Sequence, residues 1–274
     1  MQNEKLAKFI KQNAANINSN KFTEVYESLE KFFGTDSYEF TGPLTDLLYD
    51  SGIDPLLYMK RVPCEFAYNS NLESVTIPSC ITEIGTDAFN DCKKLTTVVI
   101  SEGVETIMSS AFSDCNNLKN ITLPNSIKSI DSYAFSNCKS LTDITLPESI
   151  TDIDDAAFQS CKSLVNIVIP NSVTYMGDFV FQECFNLKTA VISSGLTYIS
   201  EGFFNGCKNL TSVTIPNSVT TIGSDAFRNC KKLKDIIFEG TKSEWNNIEE
   251  LGDMWLFEVI PGCIVHCVDG DIEE

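Results

Sequence analysis

The single histidine of the chain, His266, stands beside Cys263 and Cys267 near the carboxyl end. Thiolate and imidazole are the donors zinc prefers, so a Cys-x-x-His-Cys run is the first place to look for a metal centre. Zinc wants four ligands, however, and no second pair lies at a useful spacing. Strand alternation would also turn Cys263 and Cys267 to one face and His266 to the other. Hydrolytic chemistry meets the same shortage. No Ser, His and Asp set can be assembled around one terminal His, and no glycine-rich phosphate loop follows a strand. Asp and Glu number 38, so any one carboxylate pair carries almost no signal. The sequence reads as nonenzymatic, with no cofactor and no metal.

The other residues with chemistry to offer are the cysteines, eleven in all. Seven of them, from Cys92 to Cys230, recur every 23 residues. Stacked repeats would bring neighbours to about 5 Å, the spacing of adjacent strands, which by distance alone would permit bridges. A column of seven cannot pair fully. A small apolar thiol pointing into a core is the commoner use of Cys at a repeat position, so free, buried thiols are expected.

The elements that position these thiols follow from the same period. Phe66, Phe89, Phe112, Phe135, Phe158, Phe181, Phe204 and Phe227 are each followed six residues later by a Leu, from Leu72 to Leu233, with no insertion anywhere. A short period that tolerates no change in length means that units stack in register, since one 23-residue unit cannot bury its own apolar face. We number the units from the Leu that starts each, Leu72 being unit one. In unit three the pattern reads Leu118, Ile121, Leu123, Pro124, Ile127, Ile130, Ala134, Phe135 and Cys138. The alternation of Ile121 and Leu123 predicts a short half-buried strand that Pro124 ends, because Pro cannot donate to a ladder. Ile127 and Ile130 make a second inward stretch, and Ala-Phe-x-x-Cys turns the chain back.

Residues 1–61 lie outside the period. Phe22, Val25, Tyr26, Leu29, Phe32 and Phe33 recur at helical spacing with Gly34 placed as a C-cap, predicting a helical N-terminal cap over the end of the solenoid. Residues 62–238 hold the repeats. Residues 239–274, with 10 acids against 1 base, form an acidic C-terminal cap.

These columns resemble the bacterial leucine-rich repeats of the 23-residue class, found in Treponema and in BspA-like proteins. The resemblance runs from Val62 to Phe238. The tail, with Phe238-Glu239-Gly240-Thr241 and Ile264-Val265-His266-Cys267, is similar to the ends of such proteins in gut Firmicutes and their phages. The resemblance implies an α+β repeat fold: a curved leucine-rich repeat solenoid with a parallel β-sheet on its inner face, and a short helix and strand closing the last unit. It implies binding of proteins or other macromolecules through exposed columns. Well-studied members are secreted surface adhesins.

A net charge of −18 argues against a phosphate-binding surface and so against nucleic acid. No stretch approaches the roughly 20 apolar residues of a membrane span, and no signal peptide is visible, so a cytoplasmic location is expected. An exported surface adhesin is the alternative.

A binding site is expected where exposed positions leave the repeat consensus. On the inner face one column reads Thr76, Val99, Thr122, Thr145, Val168, Val191, Thr214 and Ile237, either plain β-propensity or a flat docking face. Units five and six depart further. The column that holds Glu83, Thr106, Ser129 and Asp152 becomes Tyr175 and then Tyr198, which strand spacing would set about 5 Å apart as an exposed aromatic stripe. Phe179 lies beside it, and Phe185 falls where most units place Lys or Asn. The candidate partner-binding residues are Tyr175, Tyr198, Phe179, Phe185, Val168 and Val191, for a protein partner or, alternatively, a glycan.

Overall fold

A computed structural model describes residues 61–62, 71–250 and 262–273. The predicted helices of residues 1–60 and the first Phe of the ladder, Phe66, lie outside the described residues. The described chain is a solenoid of short parallel strands, and partners across the ladders within Ser74–Phe238 are offset by one 23-residue period: Thr97 faces Ser74, and Thr106 faces Glu83.

Two ladders run along the rod. The first contains Ser74–Ile77, Thr97–Ile100 and Asn120–Thr122 in one sheet, then Asn166–Val168, Thr189–Val191, Ser212–Ile215, Asp235–Phe238 and Ile264–Cys267 in another, which ends on antiparallel Gly270–Ile272. This is the parallel sheet that the resemblance implies, its strands half-buried as the alternation predicts. Val75, Val98, Ile121, Ile167 and Val213 point inward and are buried, while the residues between them face solvent. The second ladder is built from two-residue strands in the column of the second inward stretch. It runs from Arg61–Val62 through Glu83–Ile84, Thr106–Ile107, Ser129–Ile130 and Asp152–Ile153 to Tyr175–Met176. There it stops, and resumes as Tyr198–Ile199, Thr221–Ile222 and Glu249–Glu250.

The Ala-Phe-x-x-Cys segment is where the expected α+β class needs correcting. It forms a run of tight turns, and the only described helix is Lys242–Trp245 in the tail. Two columns in each turn explain this. Asp87, Ser110, Tyr133, Ala156, Phe179 and Asp225 have positive φ, as do Asp91, Asp114, Asn137, Ser160, Glu183 and Asn229 four residues further on. A left-handed residue costs roughly 1–2 kcal/mol outside glycine and breaks a right-handed helix wherever it falls. Neighbouring units share the bonds instead, with the Phe89 amide donating to the Ala111 carbonyl (2.7 Å) and Phe112 to Ala134 (2.8 Å).

The Phe rings form the centre of the rod. Phe89 and Phe112 stack with centroids 5.2 Å apart and planes 6° from parallel, and Phe112, Phe135, Phe158 and Phe181 continue the stack at 5.4–5.6 Å. The seven repeat cysteines lie buried beside them, none in a disulfide.

At the far end Thr241 and Glu244 form a reciprocal capping box on the four-residue helix, which buries Trp245 edge-on against Phe238 at 5.2 Å. The short helix and strand implied for the tail are both present. Strand alternation there is as expected: Cys263 and Val265 are buried, while His266 faces out and bridges Asp235 (3.1 Å) and Asp271 (3.0 Å).

Candidate functional site

The six candidate residues fall on four separate columns. Val168 and Val191 are partners across the inner sheet, both solvent-facing, with Val191 opposite Thr214 on its other side. Val168, 62% exposed, is the most open large apolar residue of the described repeats. Phe185 has the ammonium groups of Lys162 and Lys208 over its ring at 5.0 and 4.4 Å. Each Lys stands one period away, so Phe185 is a cation–π filling between two lysines of its own column and not a neighbour of the tyrosines.

Phe179 is half-buried at φ 58° and lies over the backbone of Gly202, the equivalent residue of unit six. A Cβ built on Gly202 would sit 2.3 Å from the Phe179 ring, so this aromatic packs against the next unit. Phe203, one residue on, replaces the Ala of other units and is fully buried, edge-on to Phe204 (4.8 Å) and Phe181 (5.5 Å). Val180 is also buried in the enlarged core, and in the same unit as Phe203 the strand residue shrinks to Ala190.

The two tyrosines stand on either side of the gap in the second ladder. Elsewhere the amide after the strand donates back by one unit, as Gly177 does to Ile153 (2.9 Å) and Gly223 to Ile199 (2.7 Å); the Thr174 amide donates to Thr151 (3.0 Å) and Thr220 to Thr197 (2.9 Å). The corresponding bonds from Thr197 and Ser200 to unit five are not made. Instead the buried Ser200 hydroxyl donates to the Gly177 carbonyl. Tyr198 leans toward unit seven, where a Cβ on Gly223 would lie 2.6 Å from its hydroxyl oxygen. The expected 5 Å stack of Tyr175 on Tyr198 is therefore not formed, and a cleft of about 170 Å³ opens between them.

Its walls are Tyr175, Tyr198, Asp155, Asp178, Gly177 and Ser200, among others, and no Lys or Arg contributes. Burial, and after it the carboxylates of Asp154, Asp155, Asp178 and Asp152, holds the Tyr175 phenol above its ordinary value. Burial, Asp178 and Glu201 do the same to Tyr198. Both phenols thus keep their protons, and both sense negative charge.

The acidic wall was missed at the sequence level. Its signal was a column, Ser109, Ser132, Asp155, Asp178, Glu201 and Ser224, whose charges coincide with the tyrosines. Tyr133, 48% exposed and in the same column as Phe179, was missed as well.

The profile of the BspA type leucine rich repeat region, in six copies, matches residues 62–162 and 131–249. A solved leucine-rich repeat protein of Treponema pallidum is similar at 32% identity and a TM-score of 0.56, over 59% of this chain and 78% of that one. A leucine-rich repeat protein of Eubacterium ventriosum matches at 20% identity and a TM-score of 0.42, over 74% and 83%. A leucine rich cell surface protein of Faecalibacterium prausnitzii matches at 24% and 0.32, over 68% and 83%. No curated protein gives a significant match.

Proposed function

Since the chain belongs to the family of BspA-type leucine-rich repeat proteins, we propose that it is a nonenzymatic scaffold that binds a protein partner at units five and six. Tyr175 and Tyr198 form the centre of the contact. The observation that carries this reading is the interrupted ladder: the one gap in the second sheet of the repeats coincides with the two positions where its solvent column turns aromatic. Rigid aromatic side chains lining a recess are the typical anchors of protein interfaces. Val168 and Val191 on the inner face, and Phe179 and Phe185 on the turns, lie outside this centre.

The same reading divides the chain into a cap at 1–61, repeats at 62–238 and a closing segment at 239–274. It takes the location as cytoplasmic, in keeping with the column cysteines from Cys115 to Cys230, which lie buried and in no disulfide. The Faecalibacterium relative, described as a cell surface protein, keeps the exported adhesin as the second reading.

Site-specific photo-crosslinking in cells tests the assignment. A benzoylphenylalanine at position 175 is expected to trap one discrete protein adduct, and the same group at position 122 on the inner face none. An adduct at 122 with none at 175 would move the site to the inner sheet.

A further inference from the structure

Resting on the reading of units five and six as the partner site, the geometry points to the kind of group that enters it. We propose that the cleft between Tyr175 and Tyr198 receives an arginine side chain from a basic segment of the partner.

Size narrows the occupant first. At about 170 Å³ the cleft is smaller than the roughly 300–1,000 Å³ of pockets that enclose small molecules, and it suits one long side chain. Charge narrows it further. Asp152, Asp154, Asp155, Asp178 and Glu201 surround the two phenols, and none is in an ion pair among the described residues. The whole chain carries −18, so the cleft concentrates a field that already favours cations. Two of these carboxylates are held in place by backbone. Asp155 Oδ1 accepts the Asp178 amide (2.8 Å), and Asp178 Oδ1 accepts the Glu201 amide (3.1 Å), leaving the second oxygen of each for a ligand.

The walls choose among cations. No three described carboxylates converge as metal ligands, so a bare divalent ion is not the natural occupant. A lysine ammonium is a strongly hydrated point charge. A guanidinium is flat, weakly hydrated, able to lie against an aromatic face and to offer parallel N–H donors to carboxylates. Two tyrosines flanking a slot with Asp155 and Asp178 in its wall match that set of properties.

The test titrates the full chain with a fluorescein-labelled Gly-Arg-Gly-Arg-Gly peptide and reads anisotropy. Its lysine and citrulline counterparts, and a neutral labelled cello-oligosaccharide, are run beside it. Saturable binding of the arginine peptide alone is expected. Asp155→Asn with Asp178→Asn, which keeps a side-chain oxygen to accept the Asp178 and Glu201 backbone amides, should weaken it at least tenfold, as should Tyr175→Ala with Tyr198→Ala. Asp143→Asn with Glu148→Gln, an equal loss of charge away from the cleft, should change it less than twofold. Equal binding of the citrulline or lysine peptide, or an equal loss in the Asp143 and Glu148 control, overturns the assignment. Binding of the oligosaccharide in place of the peptide overturns it in favour of a carbohydrate. No arginine binding, with the position-175 protein crosslink still formed, discards this inference and leaves the scaffold reading intact.

Discussion

The thiol of Cys138 lies 3.2 Å from the backbone carbonyl oxygen of Phe112, in the preceding turn of the rod. The contact occurs six times in all at 3.1–3.2 Å, from Cys115 on Phe89 to Cys230 on Phe204. It supplies a reason for cysteine, rather than any small apolar residue, in this column. The side chain fills a tight apolar slot and also brings a weak donor to a carbonyl that would otherwise rely on one turn bond alone.

Burial pushes these thiols up, to about 12 for Cys161 and Cys230. Thiol titration of the native protein should therefore find the seven column cysteines unreactive, and denaturation without reductant should expose all eleven of the chain. The sign for stability follows. Thiols whose folded pKa is raised contribute stability that is present below their unfolded value near 9 and lost as pH rises from there toward about 12. Alkaline unfolding should be steep over that interval. Recovery of clearly fewer than eleven thiols after denaturation would show bridges instead.

The stacked rings give the largest expected loss. Phe135→Ala removes a side chain with no solvent exposure, sandwiched at 5.4 Å on both sides, and should cost about 3–5 kcal/mol in denaturant titration. Hydrogen exchange should show the loosening reach units on both sides. A cost below about 1 kcal/mol would contradict the stack.

Much of this architecture was legible in residue spacing. Phe and Leu columns at a fixed period identify both the stacking direction and the inward positions, and Ile121 with Leu123 marks a strand. The turns were less legible. Asp87, Asp91 and Asn137 are residue types that tolerate positive φ, but Tyr133 and Phe179 share the column of Asp87 and conceal the rule. The opening between Tyr175 and Tyr198 was not legible. Regular spacing predicts a stack there, and the gap becomes visible only when the missing bonds of Thr197 and Ser200, the tilt of Tyr198 and the bulk of Phe203 are seen together.

Phe179 and Gly202 form a pair that a mutant cycle can resolve. Gly202→Ala adds a side chain at φ 58°, costing roughly 1–2 kcal/mol from the backbone, and drives its Cβ into the Phe179 ring. In a Phe179→Ala background the clash disappears, so the same Gly202→Ala change should cost measurably less, with a coupling above about 0.5 kcal/mol by chemical denaturation. Strict additivity would show that the ring does not rest on Gly202.

His266 gives the tail a pH response. Both ring nitrogens can donate to Asp235 and Asp271 only in the imidazolium, and the hydrogen bonds it donates to those two carboxylates raise its pKa above the ordinary 6.5. Its contribution is complete below the unfolded value and fades as pH rises through the folded one. The difference in Tm between wild type and His266→Gln should be greatest near about pH 5.5 and shrink at alkaline pH. A difference that grows with pH would contradict the pairing.

The most direct test of the account is the affinity of the purified crosslinked partner for Tyr175→Ala with Tyr198→Ala, measured by calorimetry beside Thr122→Ala with Thr145→Ala. Loss of such anchors commonly costs at least ~2 kcal/mol, so the Tyr pair should weaken binding about 30-fold or more while Tm barely moves, and the Thr pair should bind as wild type does. Unchanged affinity in the Tyr pair with loss in the Thr pair would place the site on the inner face and contradict the account.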